Sequence, residues 1–176
     1  FTTVADEETA EWVSKLAPSA WKISSGLLNH IPLINHLCSY NEPIYMSTGM
    51  AFIEDVDNAV EIIKNKKKNK KCTLFQCTSE YPLKEENANL GAIQFFKDRY
   101  EIEGGYYDHS TDKYFCNLAV AAGVKKIEKH FTFDKSRPGF DHHISEDKKG
   151  FKNLIDEIKT TQKIFGKYEK TKSEAI

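Results

Sequence analysis

The sequence predicts a parallel β/α barrel of the TIM type, and three observations carry that prediction. Short apolar runs alternate with longer segments of helical period, the runs recur about every 23 to 30 residues, and polar or titratable residues gather at the C-terminal end of each run. Crossovers of that length return the chain to the same sheet edge and make the sheet parallel. In parallel α/β proteins ligands bind beyond the carboxyl ends of the strands, so the polar residues locate the site there. Five polar strand ends converging on one mouth favour a closed barrel over an open sheet, in which only the ends flanking the switch point meet.

The elements follow in order. FTT at the start is a candidate remnant of a first strand, and AWKIS (20–24) is the next, leading into SSG. PIYMST (43–48) is followed by Val56, Ala59, Val60 and Ile63, whose i, i+3, i+4, i+7 spacing makes one buried helix face. CTLFQCT (72–78) runs into TSEYP, and IEGGYY (102–107) into YYDHS. KKIEKHFTF (125–133) precedes Phe151, Leu154, Ile155 and Ile158, again at helical spacing. Trp12 and Trp21 stand in apolar contexts and are expected in the core. NKKKNKK (65–71) reads as a solvated helix end or loop, and KYEKTKSEAI (167–176) as a polar, frayed tail.

A chain of 176 residues, 40% of them apolar, suits one domain with its own core. Twenty-five basic against 26 acidic side chains leave a formal charge of -1, so no general affinity for nucleic acid or an anionic membrane is expected. No apolar run approaches the roughly 20 residues that span a bilayer, and no signal-peptide pattern opens the chain; the expected compartment is the cytoplasm. Cys38, Cys72, Cys77 and Cys116 read as buried free thiols, since Cys72 and Cys77 lie on opposite sides of one strand. The absence of methionine before Phe1 leads us to expect a fragment or a processed product.

The segment IEKHFTFDKSRPGFDHH (127–143) carries the densest chemistry. On a strand, Glu128, His130 and Thr132 share the inward face while Ile127, Lys129, Phe131 and Phe133 share the other. The preceding unit ends in Asp108 and His109. Two neutral imidazoles on neighbouring strand tips can grip a divalent ion, with a carboxylate, substrate oxygens or water completing the sphere; they suit acid/base work equally. No glycine-rich phosphate fingerprint occurs, which disfavours nucleotide binding.

WKISSG (21–26), PIYMSTGM (43–50), LFQCTSEYP (74–82), GGYYDHS (104–110) and IEKHFTFDKSRPGFDHH resemble, in order and spacing, the sialic acid synthase family, which includes N-acetylneuraminate, legionaminic and pseudaminic acid synthases. The resemblance runs from Phe1 to about Gly166 and implies an incomplete barrel of about six of eight β/α units, a polar tail at 167–176, and no small C-terminal domain of the antifreeze-related kind. It implies condensation of phosphoenolpyruvate with an N-acylated amino sugar such as N-acetylmannosamine, and a homodimer for the full-length family member. His109 and His130 match the family's metal ligands, for Mn2+ with Mg2+ or Co2+ as substitutes. Thr3, Lys22, Ser25 and Ser47 match its phosphoenolpyruvate contacts. Tyr81, Ser79 and Asp141 match positions near the sugar, and Glu128 would orient His130 or the site water. Leu27 stands where the family has an acidic residue, and Tyr107 where it has a serine. Two alternatives stay open: a catalytically impaired remnant or binding paralogue of that fold, and another metal-dependent barrel aldolase or phosphoenolpyruvate-condensing synthase. His142 and His143 are left without a role, as exposed loop residues.

Overall fold

In the computed structural model, which describes residues 1–66, 72–167, 169, 170 and 172, six parallel strands curl into a partial barrel with helices on the outside. The strands are β1 (Thr2–Thr3), β2 (Trp21–Ile23), β3 (Ile44–Ser47), β4 (Cys72–Gln76), β5 (Glu103–Asp108) and β6 (Lys126–Lys129), paired in sequence order. The helices are α1 (Glu7–Ser14), α2 (Ile31–Leu37), α3 (Ile53–Lys66), α4 (Gly91–Tyr100), α5 (Tyr114–Ala121) and α6 (Lys148–Phe165). The β/α alternation and the parallel sheet stand as the sequence predicts, and FTT does contain a strand.

Alternation along each strand sorts the side chains. Trp21, Ile23, Ile44, Met46 and Leu74 point outward and pack with Leu33, Ile34, Leu37, Val56, Ala59, Val60 and Ile63. Tyr106 on the same outer side packs with Phe115, Cys116, Ala119, Val120 and Leu154. The Val56 to Ile63 face is buried in full, and all four cysteines are buried and outside any disulfide, as expected. Helix starts are fixed locally: Asp6 accepts from the Thr9 amide at 2.7 Å to cap α1, and Asp147 from Gly150 at 2.7 Å to cap α6.

The inner side carries Lys22, Tyr45, Ser47, Thr73, Phe75, Tyr107 and Glu128. Gly105 makes room there: a Cβ at this position would stand 2.8 Å from two carbons of the Phe75 ring. Phe75 is itself buried, so Gly105→Ala is expected to destabilise the fold by about 1–3 kcal/mol, read as a lower urea midpoint with unchanged slope.

Three expectations are corrected. Trp12 is 64% exposed, because Ala10 and Val13 turn toward the core and Trp12 sits about 200° round the helix from Ala10. On α6, Leu154 is buried while Phe151 and Ile158 are half-buried, but Ile155 at the stripe's edge is exposed. The last strand stops at Lys129 instead of Phe133, since β5 offers no partner past Asp108; beyond it the chain bonds to Glu146, which donates its amide to His130 and accepts from Thr132. Phe131 and Phe133 are therefore exposed. Residues 67–71 of the lysine-rich run and 168, 171 and 173–176 of the tail lie outside the described residues. Among the described residues no helix is long and apolar enough to cross a membrane.

Candidate functional site

The carboxyl ends of β2 to β6 bring together Lys22, Ser25, Ser47, Tyr81, Tyr107, His109, Glu128, His130 and Asp141. The β2–β3–β4–β5–β6 order places the tips of β5 and β6 side by side, so His109 and His130 meet with ring centroids 5.4 Å apart. Tyr81, whose peptide bond to Pro82 is cis, stacks on His109 at 4.2 Å and meets His130 edge-on at 6.3 Å.

The two imidazoles differ in their partners. His109 Nδ1 lies 2.7 Å from the Thr78 carbonyl oxygen, and a carbonyl can only accept, so Nδ1 carries the proton and Nε2 a lone pair. That Nε2 is buried with no hydrogen-bond partner among the described residues. His130 Nε2 lies 2.9 Å from the Tyr107 hydroxyl, the two rings stacked at 5.5 Å, while Asp141 Oδ2 stands 3.8 Å from Nδ1. Desolvation lowers the pKa of both histidines below the usual value, which favours the neutral form that ligates metals or accepts protons. Burial pushes the Tyr107 phenol well up, so it stays protonated.

Lys22 lies across the inner surface from the histidines. Its side chain is only 2% exposed, yet its ammonium faces the inner surface: Nζ is 2.9 Å from Glu128 Oε2 and lies 4.9 Å and 5.5 Å from the ring centroids of Tyr107 and Phe75. Among the described residues this ammonium is the one partner shown for Oε2. Ser47 Oγ, fully buried on the next strand, has no partner among the described residues. Ser25 lies beside the Cys77 thiol, and Thr3 is exposed on β1 opposite Lys22 in register. Two buried polar atoms without partners among the described residues, Ser47 Oγ and His109 Nε2, thus sit with the Lys22–Glu128 ion pair at one end of one sheet. Such groups are costly unless a ligand satisfies them.

Beside them a cleft of about 500 Å³ is lined by Tyr81, His130, Gly139, Phe140, Asp141 and His143. Ser79 is exposed next to it and packs near Gly49. The expected site residues therefore gather, with changed neighbours. Glu128 contacts Lys22, and the carboxylate beside His130 is Asp141. Leu27 packs against the core. His142 is half-buried, its Nδ1 2.7 Å from the Thr132 hydroxyl, so it braces the loop and is not an exposed residue. His143 is exposed but lines the cleft, which sequence reading missed; its place next to Asp141 was the available signal. Among the described residues no three His, Cys, Asp or Glu side chains converge as a metal-binding group.

Comparison with known proteins agrees with this architecture. A family model described as the NeuB family matches residues 1–170. The chain is 36% identical over 166 residues to an N,N'-diacetyllegionaminic acid synthase of Campylobacter jejuni, covering 94% of this chain and 50% of that protein. It is 30% identical over 162 residues to an N-acetylneuraminate-9-phosphate synthase of Mus musculus, covering 92% and 45%. The crystal structure of an N-acetylneuraminic acid synthetase of Leptospira borgpetersenii, in complex with citrate, superposes with a TM-score of 0.92 at 33% identity, over 98% of this chain and 60% of that one. The chain spans about half the length of the curated relatives it matches.

Proposed function

The chain belongs to the NeuB family, and from that premise we propose that it is the barrel portion of a sialic-acid-type synthase, joining phosphoenolpyruvate to an open-chain N-acylated amino sugar with release of phosphate. The observation that carries this reading is the two buried atoms without partners among the described residues, Ser47 Oγ and His109 Nε2, beside the buried lysine that is ion-paired to Glu128. An ammonium and a hydroxyl donor on neighbouring strands suit a small, highly charged anion, and two neutral imidazoles suit a divalent ion.

His109 and His130 would hold Mn2+, with Mg2+ or Co2+ as substitutes. When bound, the ion supplies Lewis-acid polarisation of the sugar aldehyde. Lys22, Ser25, Ser47 and Thr3 bind phosphoenolpyruvate, with Lys22 Nζ exchanging Glu128 for the anion. The phosphoenolpyruvate methylene carbon forms the new bond to the aldehyde carbon, water adds at the carbon bearing the phosphate, and that C–O bond breaks to expel phosphate. Tyr81, Ser79 and Asp141 flank the sugar. Glu128, released from Lys22, is placed to take the proton of the adding water. Four buried free thiols accord with a reducing cytoplasmic setting.

Phosphate release from phosphoenolpyruvate, N-acetylmannosamine and Mn2+, with a chelator control, tests the reading. Chelator-sensitive release is expected, and none from a folded chain would overturn activity for these 176 residues. The hydrogen bond between Tyr107 and His130 favours the second reading, a paralogue with impaired metal loading. Tyr107→Phe frees His130 Nε2 from one neutral hydrogen bond worth about 0.5–1.5 kcal/mol, so Mn2+ affinity measured by calorimetry is expected to rise about three- to tenfold.

A further inference from the structure

On the face of the sheet turned away from the cleft, Lys129 Nζ and Asp108 Oδ2 stand 2.7 Å apart, their side chains 1% and 0% exposed. Each residue immediately precedes one of the two histidines. Asp108 and Lys129 are also register partners in the β5–β6 ladder, so the ion pair joins directly opposed positions. We propose that this pair is a positioning device: it locks β5 and β6 in the one register that turns His109 and His130 together into the cleft, and so sets the spacing of the two imidazoles.

Side-chain period on a strand is two residues. A slip of one residue by β6 would send His130 under the helices and bring Lys129 into the cleft. Apolar neighbours at these positions would pack the sheet in either register, whereas a buried charge is tolerated only where its counter-charge and hydrogen bonds are met. Asp108 is met completely. The Ser110 amide donates to Oδ1 at 2.9 Å, the Tyr106 hydroxyl at 3.4 Å, and the Cys116 thiol donates to Oδ2 at 3.4 Å. Lys129 donates a second bond to the Ser110 carbonyl, so the turn that follows His109 is tied to the strand that carries His130. Cys116 lies on α5, which extends the tie to the helix covering the sheet. Neither side chain faces the cleft, so the pair acts through the histidines.

This inference rests on the reading of His109 and His130 as metal ligands. Its test is Mn2+ affinity of the folded chain by calorimetry, with circular dichroism to establish folding. The double variant Asp108→Asn/Lys129→Met removes both charges at similar size, and affinity is expected to fall about 10- to 100-fold, the loss typical when partners behind a ligand are removed. Asp108→Glu keeps both charges but lengthens the strut by one methylene, and at least a threefold loss is expected; this variant decides the matter if the double variant does not fold. Wild-type affinity in a folded double variant, or in Asp108→Glu, would overturn the proposal. His109→Ala in parallel separates the two ideas: affinity lost there but retained in the pair variants removes the positioning role alone, while affinity unchanged in His109→Ala removes the metal reading and the positioning role with it.

Discussion

Replacing His130 by alanine is expected to weaken Mn2+ binding more than about 100-fold, beyond the loss typical of an outer partner, and to take phosphate release to background. The imidazole is half-buried between Tyr107, Tyr81 and Asp141, and no other His, Cys, Asp or Glu among the described residues completes a donor group in its place. The remaining His109 would offer a single lone pair at Nε2. Because His130 is a strand-end residue whose carbonyl still accepts the Glu146 amide at 2.8 Å, the substitution leaves the backbone tie intact. Loss of binding without loss of the thermal transition is the expected pattern, read by calorimetry and by the melting curve. Metal affinity within threefold of the parent chain would refute the ligand role.

Lys22→Met is expected to weaken phosphoenolpyruvate binding about 10- to 100-fold, the size of one charge-assisted hydrogen bond at about 1.5–3 kcal/mol. Methionine matches the lysine stem in volume, so the packing against Phe75 and Tyr107 is largely kept, and what is lost is the ammonium. The same substitution leaves the half-buried Glu128 carboxylate facing the incoming anion, which adds repulsion. Glu128→Gln is the informative partner: it frees Lys22 of its counter-charge, and tighter phosphoenolpyruvate binding is expected. Calorimetric titration of the three proteins checks both directions, and equal affinity in Lys22→Met and the parent would contradict the anion site.

Much of this was legible in the sequence because the signals are local. The period-two runs and the i, i+3, i+4 spacing at Val56 to Ile63 are set by backbone geometry, and the inward parity of Glu128 and His130 follows from the same rule. What sequence reading missed depends on neighbours that only the folded chain supplies. Trp12 looked like a core residue because local composition says nothing about which side of α1 meets the sheet. Lys129 was assigned to the outer face without a partner, although a charge on a helix-covered face demands one; Asp108, at the equivalent outward position of the previous strand, was the available candidate. The contact between Glu128 and Lys22 joins the sixth strand to the second across the concave side, a distance no sequence spacing expresses. Tyr107 stands where the family has a serine, but its bond to His130 depends on the register of β5 against β6.

In the proposed function two imidazoles on neighbouring strand tips hold one divalent ion beside the Lys22 anion site. Pulsed electron paramagnetic resonance of Mn2+ added to the chain tests it directly, since coordinated imidazole nitrogens couple to the electron spin. Two such nitrogen couplings are predicted, falling to one in His109→Ala and to one in His130→Ala. Bound Mn2+ with no imidazole coupling, or couplings unchanged in either variant, would contradict the account.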